Sequence, residues 1–181
     1  AAANTAGTLA LVSTAAQFQT AYNNAATTYI QLVPNTTLTL AAALNSRTSN
    51  LIIDGNGGVI NLGNYNLPLG ATVGHTPQTF SVNNVTLNTT QTGSDDGQGN
   101  NSSGINANAY GGSGDWNINV KDTTAGSTGI GLVIAASYSQ ITLSGKDTFS
   151  ADTHMVATGT FYVANGATVN YTENGTWSPI Y

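Results

Sequence analysis

The chain has 181 residues, of which Thr, Asn, Ser and Gly supply 85, while only 6% are charged, against roughly 25% in an average soluble domain. Two Lys and one Arg cannot build a phosphate-binding surface or a basic membrane-surface helix, so nucleic-acid binding and that form of membrane association are excluded. No apolar run approaches the ~18 residues of a spanning helix, and the absence of cysteine removes disulfides, thiol catalysis and thiolate-held zinc.

Disordered chains combine low hydrophobicity with high net charge; this one is 40% hydrophobic with a net charge of −5. Its first predicted element is a short amphipathic helix over 13–26. Ser13 or Thr14 can cap it, and Phe18, Ala21, Tyr22 and Ala25 then share one face. Everything beyond reads as strand and turn. Apolar-x-apolar units recur at Ile30-Gln31-Leu32, Leu38-Thr39-Leu40, Leu51-Ile52-Ile53, Ile60-Asn61-Leu62 and Leu67-Pro68-Leu69. They continue at Phe80-Ser81-Val82, Val85-Thr86-Leu87, Ile118-Asn119-Val120, Ile130-Gly131-Leu132, Ile141-Thr142-Leu143, Phe161-Tyr162-Val163 and Val169-Asn170-Tyr171. Turn pairs such as Asp54-Gly55, Asn56-Gly57, Asn165-Gly166 and Asn174-Gly175 separate them. The stretch 92–114 lacks apolar periodicity and is predicted to be a long polar loop.

Strands this short, closed by tight turns, favour an all-β parallel β-helix over a β-sandwich, whose hairpin-joined strands run longer. Asn amides at inward corners can stack between coils, because each amide both donates and accepts. A solenoid exposes unpaired backbone at its ends. The helix at 13–26 is therefore expected to cover the first coil, and Trp177-Ser178-Pro179 the last. The whole of 1–181 is read as one domain. Ala1-Ala2-Ala3-Asn4 lacks a charged and apolar leader, so the chain is expected to be excised from a larger protein.

One ordered set of residues goes further. Leu11-Val12-Ser13-Thr14 enters the helix; Ile30-Gln31-Leu32, Leu38-Thr39-Leu40, Leu51-Ile52-Ile53-Asp54-Gly55-Asn56-Gly57, Ile60-Asn61-Leu62-Gly63 and Phe80-Ser81-Val82-Asn83-Asn84-Val85-Thr86-Leu87 follow. Over roughly residues 9–90 this order resembles the pectate-lyase-like adhesive domain of cell-wall-anchored surface proteins of Gram-positive, lactic-acid bacteria. The resemblance implies a right-handed β-helix at the cell surface and adhesion to host or plant surface polysaccharide or glycoprotein; it does not imply lyase activity. A cysteine-free secreted chain fits that setting.

Candidate site residues are few. Tyr110 and Trp116 flank the end of the polar loop beside Asp115, and aromatic rings are platforms for sugars. Tyr110, Asp115 and Trp116 are thus the candidate ligand-binding patch; the competing reading has Trp116 packing beneath the loop. Asp95 and Asp96 could hold Ca²⁺ with loop carbonyls, the one cofactor considered, although the spacing matches no calcium loop. Asp54 reads as a turn cap, and His75 and His154 as structural or exposed residues. Lys121-Asp122 and Lys146-Asp147 suggest surface ion pairs, and the resemblance, in which Arg47 matches a recurrent basic position, implies a structural or edge role for Arg47.

A glycan-binding adhesion module therefore leads. A Ca²⁺-dependent polysaccharide lyase would need a carboxylate-lined cleft and a poised base, for which no cluster is visible. A structural spacer in a stalk is a further alternative. Ice binding ranks last, because Thr37-Leu38-Thr39 does not recur at a constant period. The module is expected to be monomeric, with self-association favoured near its isoelectric point of about 4.3, where repulsion vanishes.

Overall fold

The computed structural model describes residues 9–90, 103–107, 115–127, 132–151 and 156–173. In chain order, β1 (Leu9–Val12) and α1 (Ala15–Asn23) are followed by β2 (Tyr29–Leu32), β3 (Thr37–Thr39), β4 (Leu51–Asp54), β5 (Val59–Gly63) and β6 (Leu67–Pro68). Then come β7 (Gln78–Asn83), β8 (Thr86–Thr89), β9 (Ser103–Asn106), β10 (Trp116–Lys121) and β11 (Thr124–Ser127). The last are β12 (Leu132–Ser144), β13 (Lys146–Ala151), β14 (Val156–Val163) and β15 (Thr168–Glu173).

All described strand pairs are parallel, and they form the expected β-helix. Sheet A stacks β1, β2, β4, β7, β10 and the C-terminal part of β12; sheet B stacks β3, β5, β8, β11, β13 and β15. A third wall stacks β6, β9 and the N-terminal part of β12. Strand β14 continues both the third wall and sheet A by pairing along β12.

The apolar-x-apolar units explain the interior. Side chains alternate across a strand, so one face of each unit turns inward and meets its equivalent one coil away. Ile30, Ile53, Val82, Val120 and Leu143 form one such rung series in sheet A. Leu51, Phe80, Ile118 and Ile141 form another, and Leu38, Ile60, Leu87, Ala125 and Phe149 serve sheet B. All are buried. Each large member contributes on the order of 1.5–3 kcal/mol.

The corner between sheets A and B repeats in left-handed backbone. Asn35, Asn56, Asn84, Asp122 and Gly145 have φ of 61°, 49°, 49°, 50° and 65°. Asn, Asp and Gly are the residues that accept this region. At Gly145 a second constraint applies: the Asp122 carboxylate occupies the space a Cβ would need. Stacked Asn amides do occur, but on the outer face of sheet B rather than at inward corners. Asn88 Nδ2 donates to Asn61 Oδ1 (3.0 Å), and Asn61 Nδ2 donates to Thr39 Oγ1 (3.3 Å). An outward amide keeps solvent as an alternative partner and avoids the cost of burial.

Helix α1 begins at the Thr14 cap, whose hydroxyl accepts the Gln17 N–H at 3.2 Å. Phe18, Ala21 and Tyr22 are buried as expected, but the helix ends at Asn23, leaving Ala25 exposed beyond it. Arg47, 4% exposed, ties this region together. Its guanidinium donates to the carbonyls of Tyr22, Asn24, Thr27, Ser49 and Asn50, which gives it the structural role expected.

The stretch 92–114 is not wholly a loop, because β9 lies within it. The sequence of β9 is Ser103-Gly104-Ile105-Asn106, with Ile105 the one buried apolar side chain, stacked between Leu67 and Ile134, so no apolar-x-apolar unit marks the strand.

Candidate functional site

The corner between the third wall and sheet A brings Asp115 together with a residue that sequence spacing left isolated. Beyond β6 the chain makes a 3₁₀ turn over Val73–His75, in which Gly74 and His75 have φ of 62° and 54°. Thr72 closes this turn: its carbonyl accepts the His75 N–H (3.1 Å), and its hydroxyl donates to the Thr76 carbonyl (2.7 Å). Asp115 arrives from the next coil, immediately before β10, and is only 4% exposed. Its Oδ2 accepts the Thr72 N–H at 2.8 Å, and its Oδ1 lies 2.9 Å from His75 Nδ1. Both carboxylate oxygens are therefore engaged. The His75 side chain is 60% exposed, so the imidazole is held by one nitrogen and presented to solvent beside the exposed Val73.

Trp116 follows Asp115 and turns the other way. It is 1% exposed, its indole N–H donates to the Gly70 carbonyl at 2.8 Å, and its ring meets Phe80 edge-on at 6.5 Å. As placed, it offers no face to a sugar. The packing alternative is the one the structure adopts, because an indole on this rung fills the interior and its N–H finds a buried acceptor. Tyr110, Asp95, Asp96, His154 and Trp177 lie outside the described residues. His75 is the member that sequence reasoning failed to join to the patch. The register of β7 with β10 pairs Gln78 with Trp116 and so brings the two approach segments side by side. Aligning Phe80-Ser81-Val82 on Ile118-Asn119-Val120 sets the segments that carry His75 and Asp115 in neighbouring coils without pairing the two residues.

The other described aspartates also serve the backbone. Asp54 Oδ1 accepts the Asn56 N–H (2.9 Å), forming the expected turn cap, while Oδ2 accepts from Tyr29 Oη (3.2 Å) and Gln31 Nε2 (3.1 Å). Burial first, and then the Asp54 carboxylate, push the Tyr29 hydroxyl pKa up. Asp122 Oδ1 accepts the Lys146 N–H, and Asp147 Oδ1 the Thr123 N–H, both at 3.0 Å. The expected surface pairs do not form: Lys121 and Lys146 are exposed and make no ion pair among the described residues. Asp147 points inward instead, because the alternation of β13 puts it on the same face as Phe149. Among the described residues, no group of three or more His, Asp and Glu is placed to hold a metal. A cleft of about 520 Å³ lies between β1 and α1, lined by residues including Leu11, Gln17 and Thr20. It shares no residue with the Asp115 corner.

The family described as a pectate lyase-like adhesive domain matches residues 9–160 of the chain. No curated protein and no solved structure matches it.

Proposed function

Because the chain belongs to the family of pectate lyase-like adhesive domains, we propose that it is a non-catalytic extracellular adhesion module for host or plant surface polysaccharide or glycoprotein. On this reading it is carried at the cell surface by a larger, cell-wall-anchored Gram-positive protein. It binds through the His75–Asp115 corner together with Tyr110, five residues before Asp115 in the chain.

The observation that supports this reading is the use made of the four described aspartates. Each holds a backbone N–H of its own chain: Asn56 for Asp54, Thr72 for Asp115, Lys146 for Asp122 and Thr123 for Asp147. Carboxylates spent on corners stiffen a scaffold. Acid–base chemistry instead needs a carboxylate aimed at a substrate proton. Asp115 acts through His75, whose exposed ring offers a hydrogen-bonding edge and a flat face to a glycan.

The test is surface binding of the purified chain to host mucins, pectins and matrix proteins, at pH 4 and pH 7, with and without Ca²⁺. Saturable binding to one class, reduced at least several-fold in a His75→Ala, Tyr110→Ala double variant, is expected. Silence across the panel would leave a spacer role and overturn the reading. So would unsaturated uronate product released from pectate at high protein concentration with Ca²⁺.

A further inference from the structure

Among the described residues, the interior of the solenoid holds one ionisable group that its fold does not fully satisfy. In the register of sheet B, Thr86, Thr124 and Thr148 are rung partners, so Val85, Thr123 and Asp147 fall one above another just past the left-handed corner. Val169 pairs with Asp147 in the following coil. A carboxylate therefore stands between a threonine and a valine in a column whose other described members are Val85, Thr123 and Val169.

Its surroundings are poor in donors. Asp147 is 0% exposed. Oδ1 accepts the Thr123 N–H, but Oδ2 has no hydrogen-bond partner. The Thr123 hydroxyl cannot turn to it without giving up its own acceptors, the carbonyls of Lys121 (2.9 Å) and Val82 (3.4 Å). Preceding it on its own strand, Lys146 is exposed, and its N–H is committed to Asp122. From the corner above, Asp122 brings a second negative charge. From β15 the facing residue is Val169, and the one carboxylate of that strand, Glu173, is paired with Ala151 at the far end of β13. No cation faces Asp147 from these elements.

We propose that Asp147 is a buried proton-binding site, and that taking up a proton there tightens the packing of β13 between β11 and β15, so that the fold is strengthened by mild acid. Neutralisation removes a charge from this column and turns an unpartnered acceptor into an O–H. Burial is the main reason the group holds its proton; the Asp122 charge adds to it, and the backbone at Thr123 and Ser144 opposes it, leaving the pKa raised from 3.8 to about 6. A group that binds a proton more tightly when folded adds stability fully present below its unfolded pKa and lost as pH rises through its folded one. The window thus closes as pH rises through about 6. This inference is independent of the ligand.

The experiment compares thermal unfolding and amide exchange of the wild-type chain and Asp147→Asn at pH 5 and pH 7.5. The wild-type midpoint should be higher at pH 5, by about 3–5 °C for a chain of this size. Exchange at β11, β13 and β15 should slow with it. In Asp147→Asn this pH-dependent part should vanish, while every other titrating group is unchanged. Equal pH dependence in the two proteins would overturn the proposal. Should Asp147→Asn fail to fold, Asp122→Asn gives an independent reading: the Asp147 carboxyl, followed by carbon NMR, should titrate near 6 in the wild-type chain and lower in the variant. Titration near 4 in the wild-type chain would also overturn it.

Discussion

Two corners of this solenoid each bury an aspartate, and they differ in one respect. At the corner between the third wall and sheet A, Asp115 has a donor for each oxygen, Thr72 N–H and His75 Nδ1. At the corner between sheets A and B, Asp147 has Thr123 N–H for one oxygen and nothing for the other. Their exposures, 4% and 0%, are nearly the same. Burial alone therefore does not decide what a carboxylate does in this fold. Where the second oxygen finds a donor, the group is a fixed strut. Where it does not, the group is left sensitive to protons.

The contrast can be broken most forcefully at the wall behind Asp115. Trp116→Ala empties a rung of the core and should cost about 3–5 kcal/mol, read as a lower urea midpoint. It should leave the Asp147-dependent pH response of the far corner intact. A smaller effect separates the two carboxylates themselves. Asp115→Ala leaves the Thr72 N–H without its acceptor and should destabilise by about 1–3 kcal/mol, whereas Asp147→Asn at pH 7.5 should be neutral or stabilising. Equal losses in the two variants would erase the distinction. Next comes Gly145→Ala, which adds a side chain at φ 65° against Asp122. A left-handed alanine costs roughly 1–2 kcal/mol, and Asn84→Gly, at the equivalent place two coils back in the corner series, should cost least. Denaturant titration of both variants checks the order.

Much of the fold was legible because the two-residue apolar period survives in most strands. Ile30-Gln31-Leu32 and Phe80-Ser81-Val82 announce both their conformation and their inward face. The period fails where the interior is filled by small or polar groups. At β11 the inward residues are Thr123, just before the strand, and Ala125, and Gly126 lies close under Ser150 Oγ; in β13 an inward Asp147 precedes Phe149. Neither segment reads as apolar-x-apolar. The candidate site was legible only in part. Asp115 stood out beside a polar loop, but its partner His75 is brought to it by coil-to-coil register, which no local pattern encodes. Trp116 was ambiguous because aromatic residues at a strand start serve interiors and ligands alike.

The left-handed corner shared by Asn56, Asn84, Asp122 and Gly145 has a consequence for how such a protein can diversify. Asp54 and Val59, Asn83 and Thr86, Lys121 and Thr124, and Ser144 and Lys146 end and begin strands on either side of it, so little chain is ever spent there. The excursion from Val82 to Val120 is longer than that from Val120 to Leu143, yet each advances by one rung. The extra residues of that coil therefore fall in the chain between β8 and β10, away from the A–B corner, and the rung register is kept. Chain length is thus taken up away from that corner while the rungs keep their spacing, much as fittings of different size hang from a standard rail.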